Sequence, residues 1–464
     1  MSTTSTSPTP PKATPISVDA NWKTTELYAS YREDWDSQNE LRGALGERIS
    51  GQRERAWERF TEIGFPGRKD EEWRHTNIGV VRTTAYGAVA ERSQLTKAQV
   101  EPFLYAGCHN LVVVNGHVSA ELSDSFAEAG GAKVSSLAFL DAGLRPLVEE
   151  KMASVAGFRA HPFVALNTAL FRDGLVIELP KGTVVDTPIH VLFLSANAVD
   201  GPQVSYPRLL IDAGEQSQAT IIETYASLDD HTNLTCPVTE VFCAQASVVR
   251  HYKVQKETLE AAHMATLHAE IQRDAQFSSQ SISHGGGLVR NDTQAGLRGP
   301  GSDATLNGLY VVSGEQVVDN HMFVEHEAPN TTSHEMFKGI LSDRAQSVFN
   351  GRIFVHRTAQ KTDAKQNNRN LLLSDRAISN SNPQLEIFAD DVRCTHGSTT
   401  GHLEDEALFY LRSRGIEKDA ATSLLTYAFA SEFVELVEVE ALRADLQEFL
   451  FSRLPGGEIV RQAV

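Results

Sequence analysis

The apolar positions of this chain change period along its length. Between residue 21 and about residue 100 they read as helical. Leu41, Leu45 and Ile49 recur at four-residue spacing, and Trp57 and Phe60 follow three apart. Gly64 and Pro66 stop that helix, and a charged linker, GRKDEEWRHT over Gly67–Thr76, comes next. At 110–118, NLVVVNGHV, an apolar run meets Asn115–Gly116, a strong short signal for a β-hairpin. A helix–strand mixture continues to about residue 165. From about 166 to 395 short runs of Val, Ile, Thr and Phe are separated by Gly, Asn, Asp and Pro. Leu175–Leu179, Ile189–Leu194, Ala219–Tyr225, Leu306–Val312 and Val348–Val355 read as strands. In Glu257–Phe277, Leu259, His263, Leu267 and Ile271 have helical spacing, but Thr266–Phe277 also alternates and every neighbour is a strand, so strand is predicted. Helical periodicity returns at Glu404–Arg414, closed by Gly415. A second stripe runs through Ala421, Leu424, Leu425, Ala428, Phe433 and Leu436. A third runs through Val439, Leu442, Leu446, Phe449 and Leu450 and ends at Pro455–Gly456.

So long a run of strands without helices suits a barrel pair, a propeller or a solenoid. A faint repeat favours the solenoid: Ser-Asp followed by Ala recurs at Ser302, Ser342 and Ser374, at spacings of 342 − 302 = 40 and 374 − 342 = 32. The predicted fold is mainly β: a parallel β-helix core over 166–400, a helical region with a small β element over 21–165, and C-terminal helices over 401–464. Residues 1–20 are read as a disordered, solvated tail. Their Ser/Thr/Pro-rich sequence has no apolar segment of the kind a secretory signal needs.

Charge narrows the partners. The net charge of −18 over 464 residues repels phosphate backbones, which argues against nucleic acid. No apolar run approaches the roughly 20 residues of a membrane helix. The four cysteines, Cys108, Cys236, Cys243 and Cys394, include no C-x-x-C pair, and the expected setting is a reducing cytosol. There is no P-loop, no G-x-S-x-G and no H-E-x-x-H. Gly285–Gly287 precedes strand-like sequence, not a helix, which disfavours a phosphate site. His321, His326, His334 and His356 could gather metal if they shared one face; the plainer reading is that they point to solvent or cap turns. The densest cluster is DDVRCTH, Asp390–His396. On a strand, Cys394 and His396 lie two apart and share a face, a thiolate–imidazole pair suited to zinc or iron–sulfur chemistry. Two ligands make half a site. Asp390 and Asp391, adjacent on a strand, would face opposite ways, which disfavours paired-carboxylate glycoside chemistry.

The stretch DDVRCTHGSTTGHLEDEALFYLRSRGI, Asp390–Ile416, closely resembles the C-terminal signature of the SufB/SufD family of iron–sulfur cluster assembly proteins. FKGILSDRAQSVFNGRIFVHRTAQKTDAKQNNRNLLLSDRA is similar to the family's β-helix core. RKDEEWRHT at Arg68–Thr76 and the C-x-H-G form at Cys394–Gly397 resemble the SufD branch. The resemblance is densest over 263–430. It implies a right-handed parallel β-helix that pairs with SufB through its end, and C-terminal helices that dock the ATPase SufC. It implies a scaffold in the cytoplasm, not an enzyme, able to homodimerise when alone. It implies that His396 and Cys394 help hold a transient, nascent iron–sulfur cluster at the SufB interface, with no tightly bound cofactor in the isolated chain. It places Phe409, Tyr410, Leu411, Arg412 and Arg414 in the SufC-docking helix, with packing on the β-helix as the alternative for the same residues. Cys108, Cys236 and Cys243 are expected to be buried structural thiols, and Trp73 to pack within the N-terminal region.

Overall fold

The computed structural model describes residues 22–38, 43, 45–90, 93–159, 161–454 and 457–463. The predicted tail at 1–20, the helix position Leu41 and the stop at Pro455–Gly456 lie outside the described residues.

From Leu175 to Gly401 the chain winds as a parallel β-solenoid. Each turn lays one strand in a 12-stranded sheet, here sheet one, and the next in a 10-stranded sheet, sheet two. About eight turns stack this way. Successive turns are offset by 26 to 34 residues: Ala262 pairs with Leu288 (288 − 262 = 26) and Leu175 with Leu209 (209 − 175 = 34). Alternation puts every second side chain into the space between the sheets. There Ile211, Ile221, Val249, Phe277, Leu306, Val324 and Ile353 form one contiguous core, each burial contributing roughly 1.5–3 kcal/mol. The Glu257–Phe277 stretch is strand, Ala261–Ile271 followed by Gln276–Ser283.

The corner from sheet one to sheet two is built the same way each time. One residue takes a left-handed conformation: Gly182, Gln216, Ala246, Asp274, Gly301, Asn330 and Lys361 in seven consecutive turns. The backbone N–H of Gln216 donates to the Gln245 carbonyl, Ala246 to Arg273, Asp274 to Pro300 and Lys361 to Asp391, so the corners form a ladder of their own. The following Ser217, Ser247, Ser302 and Thr362 close the corner by donating their hydroxyls to the carbonyl three residues back. Ser302 therefore belongs to this corner. Ser374 stacks instead on the Ser342–Asp343 corner opposite, where its hydroxyl donates to the Asp343 carbonyl at 2.6 Å. The 32-residue interval is one turn; the 40-residue interval joins two different corners.

Helices cover both outer faces. On sheet one lie α1 (Glu26–Ser37), α2 (Glu47–Ile63) and α3 (Pro162–Leu170). Their Tyr31, Trp35, Trp57, Phe60 and Phe163 pack with the outward-facing Val176, Leu210, Met264 and Leu288. Gly64 ends α2 with φ 60°; Leu45 precedes its Gly46 cap and is not part of the helix. On sheet two lie α5 (Lys418–Val434) and α6 (Glu440–Arg453). Their Phe433, Leu442, Leu446 and Leu450 pack on Ile222, Tyr252, Ile282, Leu309 and Ile340. Asp445 of α6 accepts from Tyr105 Oη at 2.9 Å and from Lys256 Nζ at 2.8 Å, which pins that helix down.

The first end of the solenoid is closed. The Asn115–Gly116 hairpin forms with φ of 51° and 83° and adds His117–Ser119 antiparallel to sheet two, while Lys133–Ser136 runs antiparallel at the edge of sheet one. The glycine run is structural: a Cβ at Gly285 or Gly287 would overlap the carbonyls of Glu257 and Leu259, so backbone meets backbone there.

RKDEEWRHT is a latch and not a linker. Arg290, on the outer face of sheet one, stacks its guanidinium 3.7 Å above the Trp73 ring and donates to the Glu72 carbonyl at 2.7 Å. It also pairs with Asp292 and Asp319, each at 2.9 Å. Thr76 donates its hydroxyl to the same Asp319. Trp73 thus packs on the solenoid as well as on Phe163 of α3, 5.5 Å away. Arg290 is buried, so removing it strands the buried Asp319 carboxylate and the half-buried one of Asp292. We expect Arg290→Ala to lower unfolding free energy by about 3–5 kcal/mol, read from urea unfolding followed by tryptophan fluorescence. A loss under about 1 kcal/mol would mean that the latch carries little.

Candidate functional site

The other end of the solenoid is open. The last strand of sheet one is Ile378–Ile387 and the last of sheet two is Arg393–Gly401. Each is an edge strand, with no partner on its outer side among the described residues. Their burial falls away accordingly: in Arg393–Gly401 only Cys394 and Gly401 are half-buried and the rest are exposed. Ile378, Ile387 and Phe388 expose 49%, 38% and 41% of their surface, so the rim is partly apolar. Unpaired edges of this kind template further strands unless something blocks them.

Cys394 and His396 sit on that final strand, and the register places them. Cys394 pairs with Ala364 and His396 with Gln366. Ala364 is fully buried in the core between the sheets, so both side chains of the pair point along the lumen. Cys394 tops a column that descends through Ala364, Ser333, Ala304, Phe277 and Val249. His396 tops a neighbouring column of Gln366, Glu335, Leu306, Ser279 and His251. The two-residue spacing does bring thiol and imidazole to one face, and that face is exposed because no ninth turn covers it. Burial pushes the Cys394 thiol above its usual range, so at neutral pH it is a thiol that needs a metal or a base to become a ligand.

The remaining candidates separate. Asp390 and Asp391 lie in the corner bend, not on a strand, so alternation does not describe them. The strand histidines do not converge. His326 is buried in a corner beside Thr331 and Ser333, at 2.8 and 2.9 Å, with its pKa pushed down to about 3 by burial. His356 pairs with Glu325 at 2.8 Å and His321 with Asp319 at 3.0 Å, while His334 is half-buried on sheet two. Among the described residues no group of three or more His, Cys, Asp or Glu could hold a metal ion. Cys236 and Cys243 are buried, as expected of structural thiols, whereas Cys108 is half-buried. A groove of about 770 Å³ lies beside the latch, lined by His75, His161, His321 and Arg352.

Only His402, Leu403 and Glu404 separate the last strand from α4 (Asp405–Ser413), which buries none of its residues. Phe409 and Tyr410 are 72% and 56% exposed; Arg412 and Arg414 are exposed and Leu411 is half-buried. Arg414 lies just beyond the helix, its guanidinium 5.1 Å over the Tyr410 ring. Packing of these five residues into the β-helix core is therefore not what holds them.

Comparison with known proteins agrees with the geometry. A family model described as the SufBD core domain of SUF-system FeS cluster assembly matches residues 193–429, and one for the SufBD N-terminal region matches 18–191. The iron–sulfur cluster assembly protein SufD of Escherichia coli is 31% identical over 417 residues, 89% of this chain and 95% of that protein. An iron–sulfur cluster assembly SufBD family protein of Synechocystis is 31% identical over 87% of this chain and 91% of its own length. A chloroplastic protein of Arabidopsis thaliana is 28% identical over 82% of this chain and 81% of its own length.

The thiol environments predict a reactivity order. In the native protein Cys394 should alkylate slowly at pH 7 and about tenfold faster per pH unit up to its raised pKa, while Cys236 and Cys243 stay unmodified until unfolding. Mass spectrometry after timed iodoacetamide labelling reads this directly. A Cys394 rate that is already flat at pH 7 would mean a thiolate and contradict the assignment.

Proposed function

The chain belongs to the SufB/SufD family of iron–sulfur cluster assembly proteins, and from that premise we propose that it is the SufD-type scaffold of a SufB–SufC–SufD complex and not itself an enzyme. The observation that carries the reading is the open solenoid end, where two unpaired strands, an apolar rim and the Cys394–His396 pair coincide. SufB joins by continuing the sheets at that end, the same backbone pairing that stacks every earlier turn. Its side chains complete the half-site. Iron and sulfide, the substrates, meet there between thiolate, imidazole and ligands from SufB. Without SufB the same edges pair two copies of this chain. Four free cysteines fit a reducing compartment such as the cytosol.

SufC docks on α4. Exposed aromatic and arginine side chains on a helix that buries nothing in its own subunit are what interface anchors look like. The three-residue connection to the site strand supports a mechanical coupling: ATP-driven dimerisation of SufC displaces α4 and so shifts the last turn. This needs the ATP-bound SufC dimer to bind one arrangement better than the other.

Three outcomes test this reading. Co-expression with SufB and SufC from the same genome should give one complex holding all three chains by size-exclusion mass; a chain that ignores both sinks the proposal. His396→Ala should leave that complex intact and abolish cluster formation; clusters assembling at the normal rate would remove His396 from the site. Phe409→Ala should weaken SufC binding by about 2 kcal/mol, roughly 30-fold, without changing stability, measured by calorimetric titration of SufC. An unchanged affinity would move the docking site off α4.

A further inference from the structure

The two turns nearest the open end put polar side chains into the column under His396. Gln366 and Glu335 occupy the lumen one and two turns below the open end, 3% exposed each, where the other turns of the column carry Leu306, Ser279, His251 and Ile221. Gln366 Nε2 donates to Glu335 Oε2 at 2.9 Å. Glu335 Oε1 and Gln366 Oε1 are left without a hydrogen-bond partner among the described residues. A buried acceptor left unpaired costs about 1–3 kcal/mol, so an unpaired amide carbonyl one turn below an exposed imidazole asks for an explanation. Space has been made for that amide. Gly351, on the facing sheet, has no left-handed φ to justify it, and a Cβ there would overlap the Gln366 amide nitrogen.

We propose that Glu335 and Gln366 are positioning residues for His396: Glu335 fixes the Gln366 amide by taking its N–H, which turns the amide carbonyl toward the turn above, where it accepts the N–H of the His396 imidazole. One imidazole nitrogen is then held as the donor and the other presents its lone pair at the open end, as a ligand to incoming metal must. Burial pushes the Glu335 carboxyl up to about 8, so at neutral pH the column holds mainly an uncharged acid and the relay works by dipoles. The role in cluster assembly rests on the reading of His396 given above; the hydrogen-bonded column does not.

The test uses the full chain with histidine labelled in ¹⁵N, the His396 signals being assigned by their loss in His396→Ala. The two ring nitrogens of His396 should report one dominant tautomer above the imidazole titration. In Gln366→Leu and Glu335→Leu they should move toward the averaged shifts of a free imidazole. Glu335→Gln, which keeps a neutral acceptor for the amide, should restore the single tautomer. Gly351→Ala, which crowds the amide while leaving both partners in place, should reproduce the loss and covers the case in which a leucine variant fails to fold. Within the complex, Gln366→Leu should slow cluster formation about tenfold. His396 shifts unmoved in Gln366→Leu and Gly351→Ala would overturn the proposal. Shifts that move as expected, with clusters still forming in His396→Ala, would uphold the column and reject the cluster reading instead.

Discussion

A parallel solenoid satisfies the backbone of each turn through the turns above and below it, so each end of the stack must be capped or stay reactive. This constraint organises the molecule. At the first end each sheet ends on a short antiparallel strand, and Phe126, Ala129 and Ala132 pack onto the core there. At the other end it leaves Ile378–Ile387 and Arg393–Gly401 unpaired. The candidate ligands are on the turn that the fold leaves unfinished, and their exposure follows from the missing ninth turn and not from any local distortion.

The layers around the solenoid distribute their anchors unevenly. The N-terminal helices are tied to sheet one by the Arg290 latch and by the fully buried Arg208–Glu240 pair, whose carboxylate also accepts three backbone N–H groups from Ala153, Val155 and Ala156. The C-terminal helices α5 and α6 are held by an apolar face and by Asp445. Between the last strand and α5 stands α4, with no buried side chain. A helix that buries no side chain thus adjoins the turn without a cover, so an interaction at the helix has a short covalent path to the site strand.

Local patterns were readable in the sequence, and contacts between distant turns were not. Strand runs and the three C-terminal helices follow from period 2 and period 3.6, and the shared face of Cys394 and His396 follows from alternation alone. The corner was visible only as a scatter of serines, because its left-handed position is filled by Gly, Gln, Ala, Asp, Asn or Lys and no residue type marks it. The latch motif read as a linker because its partner Asp319 lies 243 residues beyond Thr76. Glu335 and Gln366 went unnoticed for the same reason. Only the turn length of about 30 residues stacks them under His396, and that length is set by corners the sequence disguises.

The central claim is that the open end is where SufB joins, and amide hydrogen exchange with and without SufB tests it most directly. The chain diluted to monomer should exchange rapidly over Ile378–Ile387 and Arg393–Gly401. Addition of SufB should protect those two strands by orders of magnitude and leave α4 exchanging as before. Protection confined to the helices or the groove beside the latch, with the last turn still exchanging freely, would contradict the account.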